Sequence, residues 1–67
     1  LMIADYYMRR GAYLAAANRG KYIVEFYRDS PLVEQALEVM VESYDKLGLS
    51  KLKDDTYQVL KLNFPDN

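Results

Sequence analysis

"SPLVEQALEVMVESYDKLG", residues 30–48, holds a helix start, an apolar stripe and a helix stop in one stretch. Ser30 can accept from the orphan amides of a first turn, and Pro31 fits that turn because its missing N–H would be unpaired there anyway. Val33, Leu37, Met40, Tyr44 and Leu47 then recur every three or four residues, with Ala36 and Val41 widening the stripe. Glu34, Glu38, Glu42 and Asp45 fall on the other side and read as a hydrated face. Gly48 can take the left-handed conformation that closes a helix.

The flanking segments follow the same period. After Ser50, a helix from Lys51 to about Leu62 would bury Leu52, Thr56, Val59 and Leu60 before Pro65 and the polar end "PDN". Upstream, a helix from Ala12 to about Arg28 places Ala12, Ala16, Gly20, Ile23 and Tyr27 in one stripe and ends at "RDSP". Before it, Met2, Ile3, Tyr6 and Tyr7 recur at helical spacing up to Arg10, and Gly11 offers a backbone break. Arg9 and Arg10 would then sit in a last turn, opposing the negative end of the helix dipole. No strand is needed. The expected fold is all-α: four helices in antiparallel hairpins, hairpin one over 1–29, hairpin two over 30–64 and a short tail at 65–67.

Composition narrows the function classes. A chain of 67 residues forms at most one small domain and buries only about 60% of its unfolded surface. It has no cysteine and no histidine, so disulfides, thiolate metal sites and imidazole chemistry are all excluded. Nine Lys+Arg against ten Asp+Glu lack the basic footprint of a nucleic-acid binder. No apolar run approaches the roughly 20 residues of a membrane span. Acid pairs such as Glu34 and Glu38 have no convergent donor, and Asp54–Asp55 lacks the alternating ligands and glycine of a calcium loop. No catalytic residue, cofactor or metal is expected, and seven tyrosines suit a packing and docking module better than an enzyme.

A repeat is visible across the two halves. "FYRDSP" and "KLNFPDN" each run from an aromatic or apolar position to a proline, and Pro31 and Pro65 stand 34 residues apart. That is the period of the tetratricopeptide (TPR) repeat, a helix–turn–helix unit closed by proline. Stacked hairpins of this kind form an α-solenoid.

With these residues placed, the chain resembles the outer-membrane protein assembly lipoprotein family known as BamD, ComL or YfiO. The residues that carry the resemblance are "YYMRRGAYLAAANRGKYIVEFYRDSP", above all its core from Arg10 to Arg19, then "ALEVMVESYDKLGL" and "LKLNFPDN". The resemblance implies the C-terminal TPR-like repeats of a periplasmic scaffold at the bacterial outer membrane, which docks onto the POTRA region of the barrel subunit BamA and contacts smaller lipoproteins. Family members are anchored by a lipidated cysteine that this chain does not contain. A start at Leu1, with no capping residue before it, reads as a fragment whose apolar edge could pair with itself or a partner. The alternative functions are a generic periplasmic TPR adaptor or peptide-binding module and, further off, an RNA-binding helical repeat.

Two residue sets follow. Ala12, Ala16, Gly20, Ile23, Leu37, Met40, Tyr44, Tyr57 and Leu60 are expected to pack helix on helix, with the small residues Ala16 and Gly20 letting backbones approach closely. Arg19, Asn18, Tyr22 and Phe26 are expected to contact a protein partner, because an arginine beside exposed rings has the composition of an interface hot spot. The resemblance also places "NR" in the partner-facing region, with Arg19 meeting a carboxylate on a POTRA domain.

Overall fold

The computed structural model describes the backbone of residues 2–65 and the side chains of residues 9–65. It is all-α and TPR-like, with three helices: α1 (Met2–Phe26), α2 (Val33–Leu47) and α3 (Ser50–Asn63). Side chains of Met2, Ile3, Tyr6 and Tyr7, expected to form a first apolar stripe, lie outside the described residues, as do Asp66 and Asn67.

The start of the chain differs from the four-helix expectation. α1 runs unbroken through Gly11, so no turn closes a hairpin over 1–29. Glycine permits a break without requiring one: an interior helical glycine costs roughly 1 kcal/mol, and good helix formers on both sides carry the hydrogen-bond ladder across it. Gly48 is the only described residue with positive φ. Arg9 and Arg10 therefore stand inside α1 rather than at its end. Arg10 still serves a helix C-terminus, since its Nη1 donates to the Leu47 carbonyl at the last residue of α2, at 3.5 Å.

α2 begins at Val33 rather than at Pro31. Ser30 Oγ accepts from the Leu32 amide at 3.1 Å, and Leu32 O accepts the first helical bond, from Ala36 N, at 2.8 Å. At its other end Gly48, at φ 74°, donates to Asp45 O while Leu49 N donates to Tyr44 O, a Schellman closure. α3 then starts within two residues. Asp45 and Lys53 bridge this corner at 3.0 Å, an exposed pair of the sort worth about 0–1 kcal/mol.

Neighbouring helices run antiparallel. Arg10 meets the end of α2, Gly20 its middle and Val24 its beginning. Asp45–Lys53 joins one end of α2 to α3, and Val33, Leu37, Val59 and Phe64 gather at the other. α2 is thus the central layer, and among the described residues no Cα of α1 lies within 8 Å of one in α3. The core is Ala17, Leu37, Met40, Tyr44 and Leu60, with Val24, Val33 and Phe64 packed against it.

Gly20 sets the depth of the α1–α2 contact. A Cβ there would lie 2.7 Å from Met40 Cγ and 2.9 Å from the Ala36 carbonyl oxygen, so only glycine lets these backbones meet. The α1 row facing α2 is Tyr13, Ala17, Gly20 and Val24, with Ala16 and Ile23 half-buried beside it. Ala12 is exposed, contrary to the packing role expected of it. Steps of four residues drift about 40° each, so Ala12 lies about 80° from Gly20 around the helix, whereas alternating steps of four and three hold one face. Ala17, 1% exposed, is the core residue that the four-residue pattern passed over.

α3 buries only a narrow stripe, Thr56 and Leu60, because only α2 packs on it. Leu52 and Val59 are exposed rather than core. Tyr57 is 48% exposed and does not pack between the last two helices. One residue past Thr56, it is turned about 100° off the buried line. Lys61 Nζ stands 5.6 Å from its ring centroid instead.

The glycines give two opposed expectations for thermal unfolding. Gly11→Ala, with nothing within 4 Å of the new Cβ, should stabilise the chain by about 0.5–1 kcal/mol. Gly48→Ala should destabilise it by about 1–2 kcal/mol, because its φ of 74° strains any residue with a Cβ. A turn at Gly11 would reverse the first sign.

Candidate protein interface

Opposite the face that meets α2, α1 carries a second row: Ala12, Ala15, Arg19, Tyr22 and Phe26. All five are exposed. The apolar residues of α1 therefore sit on two sides of the helix rather than on one. The Tyr22 and Phe26 rings lie 4.8 Å apart between centroids, and Tyr27 adds a third ring 5.9 Å from Tyr22. Phe26 is 66% exposed.

Arg19 stands beside these rings at the edge of a groove of about 250 Å³ between α1 and α2. Its floor and walls are Ala16, Gly20 and Ile23 of α1 with Ala36 and Val39 of α2, and Leu32 and Gln35 form the far bank. Among the described residues Arg19 makes no hydrogen bond or ion pair. The guanidinium keeps all its donors for a ligand, with an aromatic surface on one side and an aliphatic trough on the other.

The four residues expected at a partner contact are all exposed, but they do not form one cluster. Arg19, Tyr22 and Phe26 share the open row, while Asn18 lies on its shoulder, about 100° from Arg19 and outside the groove. The residues expected to pack divide likewise. Gly20, Leu37, Met40, Tyr44 and Leu60 are buried, Ala16 and Ile23 are half-buried at the groove, and Ala12 and Tyr57 are exposed. Leu32, just before α2, completes the groove together with Gln35 and Val39 of that helix. Their signal in the sequence is a step of three and then four residues, beside the buried stripe.

A second groove, of about 370 Å³, lies on the other side of α2 between the ends of α1 and α3. Val24, Val33, Leu37, Val59 and Phe64 line it, with Glu25, Arg28 and Asn63 at its rim. Asn63 is committed locally, donating to the Val59 carbonyl at 2.9 Å. Among the described residues no group of three acidic side chains could hold a metal ion, and no helix is long and apolar enough to cross a membrane.

Comparison with known proteins supplies the lineage. The chain is 46% identical over 65 residues to a protein named outer membrane protein assembly factor BamD from Neisseria meningitidis serogroup A, covering 97% of this chain and 24% of that one. The BamD of Xylella fastidiosa strain Temecula1 is 42% identical over 62 residues, 92% of this chain and 21% of its own. That of Vibrio cholerae is 38% identical over 63 residues, 94% and 26%. This chain thus spans about a quarter of the length of the curated relatives it matches. The family model YfiO, described as outer membrane lipoprotein, matches residues 1–60, and the chain belongs to that family.

Proposed function

We propose that this chain is a protein-docking module, without catalysis of its own, in the assembly of outer-membrane proteins. It would act on the periplasmic side of the outer membrane, where its open α1 face engages the POTRA region of a BamA-like barrel subunit. The single observation that carries this reading is the exposed row of Arg19, Tyr22 and Phe26 beside an apolar groove. An arginine with free donors flanked by rigid rings gives contact area at low entropic expense and a directional bond to a carboxylate. The names of the relatives, outer membrane protein assembly factor, supply the setting. Smaller lipoproteins of the same assembly are further candidate partners, and the groove between α1 and α3 lies on a different side, open to them.

A generic peptide-binding role is the weaker reading. A peptide clamp in a helical repeat needs several polar side chains converging on one groove, and the groove of about 250 Å³ has only Arg19 and Gln35.

Charge reversal separates docking from structure. Arg19→Glu should cut capture of an isolated POTRA domain at least about tenfold, as when one partner of a desolvated ion pair is removed. Helicity and melting should stay unchanged, since exposed substitutions shift stability by about 0.5 kcal/mol or less. Tyr22→Ala and Phe26→Ala should weaken capture in the same assay. Binding that survives all three changes would remove this face from the interface.

A further inference from the structure

The groove between the ends of α1 and α3 has a rim that matches its own reverse. Glu25, in the last turn of α1, and Arg28, two residues past its end, are both exposed at the edge of a trough floored by Val24, Val33, Leu37 and Phe64. Neither makes a hydrogen bond or ion pair among the described residues, not even with the other. An acid beside a base is complementary to a surface that carries the same two charges in the opposite order. A two-fold axis through the middle of the pair supplies that order. It lays Glu25 of one copy against Arg28 of the second, and Arg28 of the first against Glu25 of the second.

The chain also carries an apolar group to fill the trough. Leu62, on α3, is 82% exposed, more than any other large hydrophobic among the described residues. It stands one helical turn from Val59, which lines the groove and is itself 42% exposed. A protruding leucine beside an apolar trough on the same molecule is a contact that a closed pair of copies buries twice. With nine basic against ten acidic side chains, two copies approach without the self-repulsion of a highly charged chain. We propose that this chain pairs with a second copy of itself through this groove, with Leu62 of each seated in the trough of the other and two reciprocal Glu25–Arg28 contacts closing the rim. The contact is small, so the pairing is weak and transient. Arg19 lies in the other groove and takes no part, so the pairing does not rest on the docking role above. A smaller lipoprotein seated in the same groove would exclude it.

Reciprocal charge swaps test this directly. Sedimentation equilibrium over a concentration series reaching the millimolar range should show the unsubstituted chain forming a dimer, and added salt should weaken that dimer. Glu25→Arg and Arg28→Glu should each weaken self-association about tenfold or more, because either change sets like charges together at both contacts. Mixed one to one, the two variants should associate with each other, since the mixed pair has unlike charges at both contacts again. Leu62→Ala should weaken the dimer, Arg19→Glu should leave it unchanged, and circular dichroism should show every variant as helical as the unsubstituted chain. A chain that stays monomeric throughout the series overturns the pairing and leaves the groove to a different protein. So does a dimer indifferent to salt and to both swaps, or one lost on Arg19→Glu, which would place the contact on the open row of α1. The POTRA capture assay reads the docking role separately. Capture through Arg19 by a monomeric chain upholds the docking face and ends the self-pairing, whereas a swap-sensitive dimer without capture does the reverse.

Discussion

The approach of α1 to α2 at Gly20 is the contact on which the rest of the molecule depends. With no side chain at that point, the Ala36 carbonyl and the Met40 side chain come up against the α1 backbone. Helices this close bring Ala17 into the core beside Leu37, Met40 and Tyr44, where its methyl group is sealed from water. A small chain has little apolar area to spend, so close packing with small residues matters more here than bulk. α3 adds only Thr56 and Leu60 to that core and is held at its start by the Schellman turn at Gly48.

The same contact shapes the surface. Because α1 lies deep against α2, their flanks form the trough lined by Ile23, Ala36 and Val39, and Arg19 stands at its edge rather than out on a ridge. Tyr22 and Phe26 follow on the next turns, their rings in contact but tilted 40° to each other, and half or more exposed. The packed face and the exposed row are thus two sides of one helix. One side is small and buried, the other mixes small residues, rings and a single cation. A helix apolar on opposite sides has no single stripe.

How much of this could be read from the sequence depended on whether a residue's role is local. α2 was legible because its stripe, its Ser30 and its Gly48 act within one or two turns. The Gly48 stop held, while the Gly11 break did not, although both are glycines near arginine- or lysine-bearing turns. The difference is that Gly48 takes a positive φ and Gly11 stays helical, and composition alone does not distinguish them. The buried face of α1 was missed by one position because Ala12, Ala16 and Gly20 make an attractive run at four-residue spacing. Small residues were present on both faces, so only the packing against α2 could choose Ala17 over Ala12. Arg19, Tyr22 and Phe26 were singled out because an arginine among rings stands out locally, and all three are exposed. Leu32 and Val39 were not, since the groove they complete exists only once two helices meet.

The close contact at Gly20 is tested most directly by thermal unfolding of Gly20→Val followed by circular dichroism. Valine is a better helix former than glycine by a few tenths of a kcal/mol, so local propensity alone would raise the midpoint slightly. A side chain forced against Met40 Cγ and the Ala36 carbonyl should instead cost about 2 kcal/mol, overpacking a site with backbone on one wall. The midpoint should then fall by roughly 10 °C in a domain of this size. An unchanged or raised midpoint would contradict it, and α1 and α2 would not meet as closely as the structure has them.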